Sequence, residues 1–262
     1  MAHDGAIPRL DAAQLSNARF NREYYSAAQP LLVCGALAGW AALGKWSPQH
    51  FKAHLGHKIV TLKSNRQGVF NRNHGADTGA VTLSSIALSQ AVDLILSPGE
   101  TRHYLQQLDI GQQFPELLSD LAPPYLLDES KQILTANLWF GGAGCKSPLH
   151  FDSADNFLAQ VFGTKLVTLF APEHGACLYP ALGDTNPHTS RVNVFAPDLR
   201  KFPLYAAALP YRLQGRIAPG DMLFIPQGWW HAVESLDVCA SVNIWWGRAG
   251  AVSVDPLTER PA

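Results

Sequence analysis

The chain has 262 residues, 47% of them hydrophobic, and a formal net charge of −1, so it can bury a sizeable core and offers no general basic field to nucleic acid. No segment reaches the roughly 18 apolar residues of a membrane span, and the opening MAHDGAIPRLD has no secretory pattern. The four cysteines, Cys34, Cys145, Cys177 and Cys239, show no CxxC spacing, so free thiols in a reducing cytoplasm are expected.

The first 130 residues read as a mixed layer. Phe20, Tyr24 and Tyr25 fall at helical spacing before Pro30, and LLVCGAL follows as a short buried strand. Ser47-Pro48 supplies an N-cap and a first-turn proline for a helix to about His54, closed by Gly56. KIVTLK has strand character, LSSIALSQAVDLIL reads as a helix ended by Ser97-Pro98-Gly99, and HYLQQLDI reads as a strand leading inward. Pro115, Pro123 and Pro124 mark irregular ground.

From about residue 131 the pattern changes. ILTANLWF, SPLHF, NFLAQVF, KLVTLFA, DMLFIP, HAVESL and ASVNIWW are short apolar segments, with turns at Gly163-Thr164 and Pro219-Gly220-Asp221. Their close spacing predicts a mainly β fold, a jelly roll. Pro172 to Gly215 is a long proline-containing connection, expected to face a substrate. The expectation is one domain over 1–262: an N-terminal layer over 1–130, a jelly-roll core over 131–248 and a short tail over 249–262.

His150 and Asp152 stand two residues apart in SPLHFDSADNF; on a strand they share one face and Phe151 takes the other. His231, in PGDMLFIPQGWWHAVES, heads another predicted strand. Two histidines and one carboxylate on one side of a metal leave the opposite positions open, which suits a non-haem Fe(II) oxygenase. A single histidine on a strand is more often a hydrogen-bonded core residue. Asp152 tips the balance, because a carboxylate aimed into an apolar barrel needs a cation or a donor.

Such an iron needs two electrons, which a 2-oxoacid supplies as it decarboxylates. A dicarboxylate in turn needs a fixed cation. Lys165 opens the interior-looking KLVTLF, where a lysine is out of place. It also follows the Gly163-Thr164 turn, from which its side chain can reach solvent. The residues alone leave both readings open.

The stretch LWFGGAGCKSPLHFDSADNFLAQVFGTKLVTLFAPEHGACLYP, with FPLY, PGDMLFIPQGWWHAVES and SVNIWW, resembles the JmjC or cupin-8 family of Fe(II)- and 2-oxoglutarate-dependent dioxygenases. PLLVCGALAGW and KWSPQHFKAHLG resemble that family's N-terminal region, so the likeness covers most of the chain. Within the family it is most similar to the asparaginyl hydroxylase of hypoxia-inducible factor and to the tRNA wybutosine hydroxylase. The resemblance implies a double-stranded β-helix with iron on His150, Asp152 and His231, and 2-oxoglutarate and dioxygen as cosubstrates. It implies that Lys165, Ser147 and Tyr104 hold the distal carboxylate of 2-oxoglutarate, while Asn156 and Asn243 lie near its iron-bound end. Trp245 matches an aromatic packing beside the second histidine, with plain core packing at least as ready a reading, and Gln106 matches a substrate-facing position; Gln106, Trp245, His188 and Thr189 are the substrate candidates.

The chain also departs from that pattern. Where the asparaginyl hydroxylase grips its target amide with an Arg-Gln pair, the aligned residues are His188 and Thr189, which puts asparagine specificity in doubt. Phe151 replaces a usual tyrosine, and C-terminal dimer helices are not seen after SVNIWWGRAG, leaving the oligomeric state open. The leading expectation is a hydroxylase of a protein or peptide side chain. One alternative keeps the chemistry on a modified tRNA base or small metabolite, with Arg66, Arg72, Lys131, Arg191, Arg200 and Lys201 gathered on one face. Another is a non-catalytic cupin-like protein that uses the pocket only to bind a metal or ligand.

Overall fold

Strands buried on both faces between residues 131 and 248 set the architecture, and short N-terminal strands extend it. The computed structural model describes residues 5–70, 79–182 and 187–248. Arg72 and the tail over 249–262 lie outside the described residues. In chain order the strands are β1 Gly5–Ala6, β2 Arg9–Asp11, β3 Leu31–Cys34, β4 Ile59–Asn65, β5 Thr82–Ala87, β6 Arg102–Asp109 and β7 Lys131–Gly141. They continue with β8 Lys146–His150, β9 Asp155–Phe162, β10 Lys165–Phe170, β11 Leu213–Ile217, β12 Met222–Ile225, β13 Trp230–Ser235 and β14 Cys239–Arg248.

The smaller sheet has the order β1-β11-β10-β13-β8, and the larger β2-β3-β12-β9-β14-β7-β6-β4-β5. At their centre, β8, β13, β10 and β11 face β7, β14, β9 and β12. These strands come from the C-terminal half in two antiparallel sets of four, the double-stranded β-helix of a jelly roll. Leu158, Val167, Leu169, Ile225 and Val233 fill one part of the core. On the other face of the larger sheet, Phe140, Phe157, Val242 and Trp246 pack against Phe20, Trp46, Phe51 and Val92 of the N-terminal layer.

Ser47 caps the helix Pro48–Leu55, its Oγ accepting the His50 N–H at 3.0 Å, as the sequence predicts. LSSIALSQAVDLIL, read as one helix, divides instead. Thr82–Ala87 pairs with β4 along its whole length, and only Leu88–Leu96 is helical. The division follows burial: Leu88, Ala91, Val92 and Ile95 repeat at helical spacing and are buried, whereas Thr82–Ala87 is half-buried or exposed. Strands β1, β2 and β11 escape sequence reading, the first two being too short to show a period. LQGRI of β11 carries a glycine that admits Ile7, whose Cδ1 would lie 3.1 Å from an added Cβ.

The long connection is ordered where it is described. It opens with a 3-10 turn over Pro172–Leu178, holds a short helix at Tyr205–Ala208 and ends in β11. Along the way it lies beside β8: the Phe151 N–H donates to the His188 carbonyl and the Ser190 N–H to that of Leu149. Among the described residues no helix is long and apolar enough to cross a membrane. The four cysteines are free.

The β9–β10 turn depends on Gly163, which sits at φ 69°, with Cys239 Cβ and the Val238 carbonyl each 2.4 Å from an added Cβ. Gly163→Ala should therefore cost about 2 kcal/mol or more of stability, read as a lower denaturation midpoint.

Candidate metal centre and the pocket around it

Strands β8 and β13 are neighbours, and their register sets His150 directly opposite His231. Three residues of β8 span two of β13 between this pair and Ser147↔Val233, so the ladder carries a bulge. That irregularity lets Ser147 and His150, three apart, both line the same pocket. Asp152 is expected on the same strand as His150; the structure places it just past the strand end, because β8 stops at His150. Its side chain still turns to the histidines and is only 11% exposed.

Asp152 Oδ1 lies 3.9 Å from His150 Nε2, and Asp152 Oδ2 lies 3.6 Å from His231 Nε2. Two metal–ligand bonds of roughly 2.1 Å span at most roughly 4.2 Å, so these gaps can hold one cation. Each histidine has its tautomer fixed. His150 Nδ1 meets the Pro148 carbonyl at 2.7 Å and His231 Nδ1 the Trp229 carbonyl at 3.0 Å. A carbonyl only accepts, so both Nδ1 atoms carry a proton and both Nε2 atoms face Asp152. Burial, together with the neighbouring His231, pushes the His150 pKa down to about 4, so its ring is neutral and ready to ligate near pH 7.

Asp152 is itself oriented. Its Oδ2 accepts from Asn156 Nδ2 at 2.9 Å and from the Trp245 indole N–H at 3.0 Å. Trp245 is thus more than core packing: it fixes the carboxylate, and it does so as a donor that adds no charge. The indole of Trp139 donates to Asn243 Oδ1 at 2.6 Å. Because a carboxylate only accepts and an indole only donates, both amides have defined orientations. Asn156 Oδ1 and Asn243 Nδ2 remain, both buried and without a partner among the described residues. Unpaired buried polar atoms are costly, and two beside a ligand set mark a place where a polar molecule belongs.

Deeper in the cavity is Lys165, 1% exposed, which disposes of the solvent-reaching alternative. Its Nζ donates to Ser241 Oγ at 2.5 Å and lies 3.5 Å from the Tyr104 hydroxyl, and no carboxylate pairs with it among the described residues. Burial lowers its pKa and raises that of Tyr104, whose hydroxyl also bonds Ser147. An interior ammonium flanked by three hydroxyl groups is a receptor for an anion. Ser241 was not legible as part of it, since SVNIWW reads as an ordinary strand. Its alternation with Asn243 and Trp245 on one face of β14 was the available signal.

One cavity is lined by every residue singled out from the sequence: His150, Asp152, His231, Lys165, Tyr104, Ser147, Asn156, Asn243, Gln106, His188, Thr189 and Trp245. The Gln106 side chain accepts from Lys63 Nζ at 2.7 Å. Phe151, expected on the opposite face from His150 and Asp152, packs on the rings of His188 and Trp230 and lines the same cavity, because the strand ends at His150 and alternation stops there. Trp245→Phe keeps the packing and deletes the donor to Asp152. Its affinity for Fe(II), titrated anaerobically, should fall about tenfold while the thermal midpoint stays near that of the parent.

The cupin-like domain family matches residues 17–251. The chain is 33% identical over 246 residues to lysine-specific demethylase 8 of Xenopus tropicalis, covering 92% of this chain and 53% of that protein. It is 31% identical to Jumonji C domain-containing protein 5 of Drosophila melanogaster, covering 92% and 59%. To tRNA wybutosine-synthesizing protein 5 of Gallus gallus it is 30% identical, covering 95% and 79%. The chain therefore spans little more than half the length of the first two relatives. With the fold and the His-Asp-His set, these matches show that the chain belongs to the cupin-like domain family, whose JmjC members are iron- and 2-oxoglutarate-dependent oxygenases.

Proposed function

We propose that the chain is an Fe(II)- and 2-oxoglutarate-dependent hydroxylase acting on a C–H bond of a protein or peptide side chain. The observation that carries this reading is one cavity holding both a two-His-one-carboxylate set and an unpaired buried ammonium. His150, Asp152 and His231 would hold the iron. Lys165, with Ser241, Tyr104 and Ser147, would hold the distal carboxylate of the 2-oxoacid, and Asn243 Nδ2 would donate to its other end. When both are bound, the chemistry they supply is reduction of dioxygen coupled to loss of CO2 from the 2-oxoacid, with one oxygen atom passing to a C–H bond.

The residues of the chain then have positioning tasks. The carbonyls of Pro148 and Trp229 hold the two imidazoles as ligands, and Asn156 and Trp245 hold the carboxylate. Leu158, Ile225 and Val233 form an apolar wall that excludes bulk water. Gln106, His188 and Thr189 border the space left for substrate.

The wybutosine relative favours a second reading, the same chemistry on tRNA. Of the basic residues that would serve it, Lys131 is withdrawn, while the side chains of Arg66 and Arg200 stay 77% and 98% exposed beside acidic neighbours. Arg66 pairs with Glu100, Arg200 lies 3.9 Å from Asp198, and the Lys131 side chain is 9% exposed and sits over the Tyr25 ring. Salt-sensitive RNA binding would favour tRNA.

The test is iron-dependent formation of succinate from 2-oxoglutarate. Asp152→Ala should abolish it, and unchanged turnover in that variant would remove the hydroxylase reading. Lys165→Met should raise the KM for 2-oxoglutarate about a hundredfold, measured from initial rates, because it deletes a buried charge-assisted contact.

A further inference from the structure

Strand β6 is out of step with a regular strand. Tyr104 lines the pocket and Leu105 is buried in the core on the other side of the sheet. Strict alternation would return Gln107 to that core and turn Leu108 to the pocket. Instead Leu105 and Leu108 are both core residues, and Gln106 and Gln107 both line the pocket. The device is a bulge: pairing with β7 jumps from Leu105↔Phe140 to Leu108↔Leu138, and Gln107 takes φ 58°.

Left-handed backbone is unfavourable for any residue with a Cβ. Of the described residues other than glycine that adopt positive φ, Ala28, Gln107 and Tyr179, only Gln107 lies in a strand. Glycine would form the same bulge without the strain. What glutamine adds is a carboxamide at the pocket wall. Lys63 occupies the Gln106 oxygen, which leaves the Gln106 amide protons as donors, while the Gln107 carboxamide has no hydrogen-bond partner among the described residues. Apart from Asp152, Lys165 and the histidines, the residues that line the cavity are uncharged.

We infer that Gln107 is a specificity-determining residue, its carboxamide pairing with a peptide or carboxamide group of a polypeptide substrate. Such a group presents one donor and one acceptor side by side, as a glutamine side chain does, whereas a phosphate only accepts and an ammonium only donates. This rests on the hydroxylase reading, and it explains why a strained residue occupies a bulge that glycine would fill more easily.

The test compares the full chain with Gln107→Gly and Gln107→Ala, each loaded with Fe(II) and incubated with 2-oxoglutarate, 18O2 and cell extract. Succinate formed without extract is measured first, then the isotopic label in the protein and RNA fractions by mass spectrometry. Both variants should keep extract-free succinate formation within about twofold and lose about tenfold or more of the label in polypeptide. Gln107→Gly should melt no lower than the parent, which separates lost recognition from lost folding. Retained polypeptide labelling in Gln107→Gly would overturn the inference, as would equal loss of extract-free turnover, or label in RNA alone. A parent chain that forms no succinate with iron would instead sink the hydroxylase reading itself.

Discussion

A carboxylate, two imidazoles and an ammonium are buried together in a cavity between β-sheets whose filling is otherwise mostly apolar. Removing such groups from water costs several kcal/mol apiece unless partners replace the solvent. The rest of the site follows from that constraint. The imidazoles donate to backbone carbonyls, the carboxylate accepts from an amide and an indole, and the ammonium donates to the Ser241 hydroxyl. Among the described residues that line the cavity, Lys165 has no carboxylate partner and Asn156 Oδ1 and Asn243 Nδ2 have no hydrogen bond, a pattern that suits a cation and a dicarboxylate.

Rigidity of the scaffold makes this arrangement affordable. His150 and His231 come from hydrogen-bonded neighbours, and Asn156, Asn243 and Trp245 from two adjoining strands of the opposite sheet, β9 and β14. The N-terminal layer stiffens that larger sheet from behind through aromatic contacts such as Phe20 with Phe157, whose ring centroids lie 5.7 Å apart. Both histidines sit on strands, and Asp152, just past the end of β8, is held by donors from two more, which keeps the candidate ligand atoms within a narrow range of separations.

Much of this was legible in the sequence, for reasons that differ by residue. His150, Asp152 and His231 stood out because their chemistry conflicts with the apolar segments around them. Seven of the eight jelly-roll strands stood out as apolar segments bounded by turns, whereas β11, LQGRI, is too polar to do so. Lys165 was ambiguous because a lysine after a turn is free to point either way, and only the pairing of Lys165 with Ser235 across β10 and β13 fixes its direction. The split of residues 82–96 was hidden because β5 gains its pairing from β4, distant in sequence. For Trp245 the sequence leaves a place beside the second histidine and plain core packing both open, since an indole N–H leaves no trace in a hydropathy pattern. The Gln107 bulge was written in the Leu105–Leu108 spacing, yet HYLQQLDI still reads as plain strand.

The segment at 188–190 shares backbone hydrogen bonds with the end of β8, so it is anchored to the very strand that supplies a metal ligand. Farther on, the connection is fixed again by Tyr205, which is buried against Phe170. Between these moorings Val192 is buried in one cluster with Leu149 and Trp230, the sequence neighbours of His150 and His231. A change in side-chain volume at Val192 would therefore be felt at both imidazoles, which ties the middle of the connection to the histidine pair.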